Sequence, residues 1–140
     1  MNKVFVSIAA AGLGLAALPV NAAAVVPPAY AAQYKTLKGD VGRGKVVFTQ
    51  CKTCHVVTAG VNRIGPSLHA VVGRTSGSIP NYAYSAANKQ GHIVWSEPVL
   101  FTYLEAPQKF LPGTKMSYAG LKDAQKRADV IAYLKSNPTS

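Results

Sequence analysis

Apolar residues recur at helical spacing in three stretches of the chain, and long segments rich in Gly, Ser and Pro separate these stretches. The spacing predicts helices over residues 40–50, 96–105 and 122–135. The first helix places Val41, Gly44 and Phe48 on one face, and the second places Leu100, Tyr103 and Leu104 on one face. The inner face of the third would comprise Ala124, Ala128, Ile131 and Leu134. No alternating strand pattern and no internal repeat stands out, so the sequence predicts an all-α domain.

The connecting segments are long for a domain of this size, as in the Gly-, Ser- and Pro-rich run from Asn62 to Asn81. About 100 residues with so much loop bury little apolar surface by themselves. The pattern therefore predicts that a large apolar cofactor fills the middle of the domain.

The first residues have the pattern of an export signal. Lys3 supplies a positive charge, residues 4–18 form an uncharged apolar run, and Val20-Asn21-Ala22 supplies small residues for cleavage. We expect residues 1–22 to be a signal peptide, with cleavage after Ala22 or as late as Ala24. The alternative is an uncleaved membrane anchor, although the apolar run is short and contains two glycines.

Residues 23–38 follow as a segment of small residues and prolines with no clear period. This composition predicts a flexible N-terminal arm. The main domain then covers residues 39–138 and has no further apolar stretch of spanning length, so we expect a soluble periplasmic protein.

The composition narrows the function classes. Lys and Arg total 15 against 5 for Asp and Glu, a formal net charge of +10 in 140 residues. Nucleic acid is a common partner of basic domains, but export argues against it, and the basic residues never run longer than Lys126-Arg127. Two cysteines exclude a scaffold held by several disulfides.

Those cysteines lie in the pentapeptide Cys51-Lys52-Thr53-Cys54-His55, which matches the attachment pattern of a c-type haem. Thioether bonds from Cys51 and Cys54 would place the iron over His55. A thioredoxin-type redox pair, a short-range disulfide and a zinc site are the alternatives. The first needs a βαβ context, the second closes a very small loop, and the third needs four ligands.

The sixth position on the iron separates a carrier from an enzyme. Met116 is the one methionine outside the leader, and it follows the turn Pro112-Gly113 in a loop. A thioether there favours ferrous iron and suits an iron ligand. A methionine that merely fills a core gap is the alternative, and His69 and His92 stay open as ligands.

Several further segments occur in the same order as in class I cytochrome c, and the chain resembles the branch that includes mitochondrial and bacterial respiratory and photosynthetic members. The segments are Gly65 to His69, Val72 to Arg74, Tyr84 to Lys89, Trp95, Pro112 to Met116, and Ala128 to Leu134. The resemblance implies three main helices and loops wrapped around one covalently bound haem c, and a soluble monomer that does not insert stably into membranes.

The resemblance also implies roles for individual residues. The Pro66 carbonyl would fix the tautomer of His55. Arg74, Tyr84 and Trp95 would bond to or neutralise the haem propionates. Asn88, Tyr103 and Thr114 would surround an internal water near Met116. Gly44 and Phe48 would pack against the last helix near Ile131 and Tyr133.

The implied function is one-electron transfer through the exposed haem edge, with His55 and Met116 as iron ligands and no catalysis. The expected partners are acidic surfaces of a cytochrome bc complex, an oxidase, a photosynthetic reaction centre or a dehydrogenase. We expect four lysines to ring the haem edge and steer docking: Lys52, Lys109, Lys115 and Lys122. A small haem enzyme or gas binder with an open distal site, such as a peroxidase, is the alternative.

Overall fold

A computed structural model describes residues 26–137, which form an all-α domain. The α-helices are α1 (Pro28–Thr36), α2 (Val41–Val47), α3 (Ala86–Gln90), α4 (Glu97–Glu105), α5 (Pro107–Phe110) and α6 (Ala124–Lys135), and a 3-10 turn at Phe48–Gln50 extends α2. Within these residues there is no strand, only an isolated bridge between Thr75 and Val94, and no helix is long and apolar enough to cross a membrane. The signal peptide expected at 1–22 lies outside the described residues.

The three predicted helices are confirmed, as α2 with its 3-10 extension, α4 and α6. The starting points of α2 and α6 are fixed by N-capping. The side chains of Asp40 and Asp123 accept hydrogen bonds from backbone N–H groups three residues further on. Proline follows the N-cap residue Ser96 by two positions and favours the start of α4. The sequence did not predict the short helices α3 and α5.

Helices α2 and α6 pack against each other at Gly44. A Cβ atom at this position would lie 2.6 Å from the carbonyl carbon of Asp129 and 2.8 Å from Cβ of Tyr133. Glycine therefore permits a backbone approach that a larger residue would block. The ring of Phe48 packs on Tyr133 with centroids 5.1 Å apart, as the resemblance implied.

A buried carboxylate fastens the same pair of helices. Asp129 is only 2% exposed, and it accepts hydrogen bonds from the Asp40 backbone N–H, the Arg43 guanidinium and the Gln125 amide. These donors hold the pKa of Asp129 down at about 2, with the Arg43 hydrogen bond as the main cause. The start of α2 is thereby bonded to the middle of α6.

Within the segment expected to be a flexible arm, residues 28–36 form helix α1, which the sequence did not predict. Helix α1 places Tyr30 and Tyr34 against Phe101 of α4, with ring centroids 6.4 and 5.3 Å apart. The Tyr34 hydroxyl also donates a 2.6 Å hydrogen bond to Glu97. These contacts order a segment whose own apolar pattern is weak.

Candidate functional site

The cysteine pair lies in a tight turn directly after α2. Backbone hydrogen bonds run from the N–H groups of both Cys54 and His55 to the carbonyl of Cys51, which brings the three side chains into one short segment. Both thiols are partly buried, and the sulfurs are not joined to each other. Burial raises the pKa of Cys51 to about 11. The disulfide alternative therefore finds no support in the structure.

The redox-pair and zinc alternatives also lack their structural context. The part of the chain that the structure describes has no strand that could build a βαβ unit around Cys51 and Cys54. Across residues 26–137, no three His, Cys, Asp or Glu side chains come together as a metal site. His92 lies exposed at a turn with φ of 44°, which is a surface position.

His55 is oriented by the loop that follows it. Its Nδ1 atom lies 2.8 Å from the carbonyl oxygen of Pro66. Because a carbonyl only accepts, Nδ1 carries the proton and Nε2 keeps its lone pair free to bind a metal. The imidazole is partly buried, and this burial lowers the pKa of His55 below its ordinary value.

The absence of a side chain at Gly65 makes room for the imidazole of His55. A Cβ atom at this position would lie 2.7 Å from Nε2 of His55, closer than real side-chain contacts allow. The ring therefore lies against a bare backbone, and Gly65 also donates its N–H to the carbonyl of Cys54. Gly65 lies in one of the segments that carry the family resemblance, but no role was predicted for it.

Met116 is held at its sulfur and at both backbone polar atoms. The Tyr103 hydroxyl donates to Sδ at 3.1 Å, the Met116 N–H donates to Oγ1 of Thr114 at 3.3 Å, and the amide of Gln108 donates to the Met116 carbonyl at 2.7 Å. Tyr103 is itself 7% exposed and packs between Trp95 and Phe110. Burial raises the pKa of Tyr103, so its hydroxyl is protonated at neutral pH.

Asn88 joins this cluster from α3. Its Oδ1 atom accepts hydrogen bonds from Oγ1 of Thr114 at 3.2 Å and from the Ser85 hydroxyl at 2.8 Å. Ser85 also caps α3 by accepting from the Asn88 N–H. The structure thus brings together the three residues that were expected near Met116, namely Asn88, Tyr103 and Thr114. Ser85 is an addition that sequence analysis did not assign.

The residues expected near the propionates occupy a neighbouring region. The Arg74 guanidinium donates to the carbonyls of His69 and Ser67, at 2.7 and 2.9 Å, while its buried Nε has no hydrogen-bond partner. The positive charge of Arg74 opposes the rise in pKa that burial causes at Tyr84. The Trp95 ring is 7% exposed and stacks at an angle on Tyr103. Arg74 and Trp95 are also joined through their backbones, by a hydrogen bond from the Trp95 N–H to the Arg74 carbonyl.

The four lysines expected at the docking surface are all exposed. Two of them also reach backbone carbonyls, Lys115 that of Ala83 at 3.0 Å and Lys122 that of Glu105 at 2.6 Å. Lys52 follows the first cysteine directly, and Lys109 lies on α5. Their charges therefore face solvent next to the segments that carry Cys51 and Met116.

Comparison with known proteins adds an independent line of evidence. The family model described as cytochrome c matches residues 41–138. Cytochrome c2 of Rhodopila globiformis is 56% identical over 99 residues, which cover 70% of this chain and 93% of the relative. Cytochrome c 2.1 of Caenorhabditis elegans is 52% identical over 97 residues, which cover 69% and 87%. The solved structure of cytochrome cH from Methylobacterium extorquens superposes with a TM-score of 0.66 at 40% identity, covering 70% of this chain and 99% of the other.

Proposed function

The chain belongs to the cytochrome c family, and we propose that it works in the periplasm as a soluble one-electron carrier between membrane or periplasmic redox complexes. Carriage of electrons on one covalently bound haem c follows from the family. The compartment is proposed from the leader pattern of residues 1–22, and the partner class from the excess of basic residues.

The site fits a haem in two respects besides the attachment pentapeptide. Because Gly65 has no side chain, the imidazole of His55 lies directly against its backbone, with the lone pair of Nε2 free. The buried Nε of Arg74 has no hydrogen-bond partner in the protein. We assign thioether attachment to Cys51 and Cys54, and charge neutralisation of the propionates to Arg74, with Tyr84 and Trp95 beside it. The haem supplies the reversible ferric–ferrous couple.

The observation that carries the proposal is that hydrogen bonds to other protein groups hold both candidate ligands in place. His55 is held through Nδ1 by Pro66, and Met116 is held at three atoms by Tyr103, Thr114 and Gln108. A carrier needs the same ligands in both oxidation states, because little rearrangement then accompanies each electron. Asn88 and Thr114 support Met116 from α3 and from its own loop.

An open-site haem enzyme or gas binder is not favoured. It would leave the distal side available to a small molecule, whereas here the loop of Met116 is fastened by side chains from α4 and α5. Rapid binding of carbon monoxide to the ferrous protein at neutral pH would contradict the carrier proposal.

Absorption spectra of the exported protein test the ligand assignment. We expect haem that resists acid-acetone extraction and a weak ferric band in the red in the wild type. The band should vanish in Met116→Ala, while covalent attachment persists. Tyr133→Phe is the control, since Tyr133 packs on Phe48 and not on Met116. Extractable haem in the wild type would refute the proposal.

The docking proposal is tested by electron-transfer rates to an acidic redox partner. Lys109→Gln should lower the rate about twofold at low salt, and the effect should fade as screening increases. Lys126→Gln removes the same charge from an exposed position on α6 and should change the rate less. A rate independent of salt in the wild type would exclude electrostatic steering by these lysines.

A further inference from the structure

Gln108 is an exposed residue with two hydrogen bonds into the loop of Met116. Its Nε2 donates to the carbonyl of Met116 at 2.7 Å and to the carbonyl of Thr114 at 3.2 Å. The two carbonyls lie on either side of Lys115, so a single amide spans the end of the turn that presents Met116. No spacing or motif in the sequence marks this residue.

The helix that carries Gln108 is firmly anchored. Pro107 at its start is buried, and Phe110 at its end packs edge-on against Tyr103 with centroids 5.5 Å apart. The backbone N–H of Leu111 bonds to the Pro107 carbonyl at 2.9 Å. The amide of Gln108 therefore projects from a fixed base, and its hydrogen bonds act on the loop rather than moving with it.

The remaining contacts of Met116 differ in kind from those of Gln108. Tyr103 bonds to the sulfur from the buried side, and Thr114 belongs to the loop itself. Gln108 fastens the Met116 backbone from the solvent side and from a different helix. We propose that Gln108 is a positioning residue that keeps the loop closed, so that Met116 stays on the iron against competing ligands.

This inference rests on the proposed function, because it takes Met116 as an iron ligand. An amide side chain donates to the two carbonyls without carrying a charge. Glutamate in the same place has nearly the same shape but at neutral pH has no donor to offer. The comparison between Gln108→Glu and Gln108→Ala therefore separates the donated hydrogen bonds from the space that the side chain fills.

Imidazole is the probe, since it is a neutral ligand that replaces methionine only when the loop opens. Its affinity for the ferric holoprotein is measured by loss of the red absorption band. The affinity for imidazole should rise about tenfold in both Gln108→Ala and Gln108→Glu. A tenfold change is equivalent to about 1.4 kcal/mol, which is the net contribution of one or two hydrogen bonds. The fraction of open protein sets this apparent affinity.

Tyr34→Phe is the control, because it weakens the fold at the α1–α4 contact without touching the loop. Its imidazole affinity should stay within about twofold of the wild type. Both Gln108 variants within about twofold of the wild type, or an equal rise in Tyr34→Phe, would overturn the positioning role alone. A wild type without the red band would overturn the ligand assignment and this inference together.

Discussion

Tyr34 and Glu97 lie 63 residues apart in the chain and are joined by a 2.6 Å hydrogen bond from the phenol to Oε2. Lys135 of α6 donates to the other oxygen of the same carboxylate at 2.7 Å. One carboxylate thus connects three helices, α1, α4 and α6. The first of these lies before the family match, which begins at residue 41.

Replacing Tyr34 by Phe should lower the free energy of unfolding by about 1–2 kcal/mol, because a hydrogen bond to a charged acceptor is lost while the ring contact with Phe101 remains. Denaturant unfolding of the holoprotein measures the change. Tyr133→Phe keeps its ring on Phe48 and should stay within about 0.5 kcal/mol of the wild type. Equal stability of Tyr34→Phe and the wild type would show that α1 contributes little through Glu97.

Substitution by alanine at two glycines of α2 should change the free energy of unfolding in opposite directions. At Gly44 the new methyl group meets the backbone of Asp129, and we expect a loss of about 2 kcal/mol or more in the free energy of unfolding. At Gly42 the nearest atom is Oδ1 of Asp40 at 3.3 Å, a tight contact with the end of an exposed side chain that can shift by a few tenths of an ångström. The gain in helix propensity should therefore dominate, at about 0.5 kcal/mol. Paired denaturation curves measure both changes, and a tolerated Gly44→Ala would contradict the close packing of α2 on α6.

Asp129 should make the stability of the folded protein depend on pH in the acid range. Its pKa in the folded protein is about 2, below the ordinary value of 3.8. The stabilisation is therefore complete above about pH 5 and is lost as the pH falls towards 2 and the carboxylate becomes protonated. We expect the stability difference between wild type and Asp129→Asn to be constant from pH 5 to 7 and to shrink below about pH 4. Urea midpoints across this range measure it, and a difference that persists unchanged at pH 2 would contradict the assignment.

Tyr103 should tune the reduction potential through Met116. The Tyr103 hydroxyl donates to Sδ of Met116. With Met116 as the iron ligand that we propose, this donation would withdraw electron density from the thioether, which would then stabilise ferric iron less. Tyr103→Phe should lower the potential by about 20–60 mV, the one-electron equivalent of a single hydrogen bond. Redox titration measures the shift. Tyr133→Phe serves as control, and a potential that rises or stays constant in Tyr103→Phe would exclude the hydrogen bond as a tuning device.

The parts of the fold in which the apolar pattern is strong or the motif is local could be predicted from the sequence. The helices at 40–50, 96–105 and 122–135 have apolar residues at helical spacing, although Val41, the first residue of α2, is 48% exposed and does not join the buried face of Gly44 and Phe48. The pentapeptide at Cys51 is specific by itself. The contact between Phe48 and Tyr133 was also predicted, because the family resemblance covers both residues.

Helix α1 was missed for a physical reason. Tyr30 and Tyr34 are the large side chains of α1 that pack against the core, and they lie four positions apart among alanines that give no apolar stripe. The helix is stabilised by Phe101 and Glu97, which lie more than 60 residues further along the chain. Tertiary contacts, and not the local sequence pattern, determine whether such a helix forms.

The polar contacts of the Met116 loop were foreseen only in part. Tyr103, Thr114 and Asn88 were named through the resemblance, and their hydrogen bonds are present. Gln108 was given no role, because its two hydrogen bonds depend on where α5 places its amide relative to two backbone carbonyls. Such geometry depends on the path of the loop and is invisible in spacing.

The contact between α2 and α6 has a consequence for the order in which the chain folds. Arg43 and Asp129 are separated by 86 residues, and Gly44 needs the backbone of the same aspartate to complete its packing. A chain that emerges from its N-terminus has exposed Cys51 and Cys54 long before residue 129 arrives. The junction of α2 and α6 therefore cannot form until residue 129 is present, and the segment with both thiols precedes it along the chain.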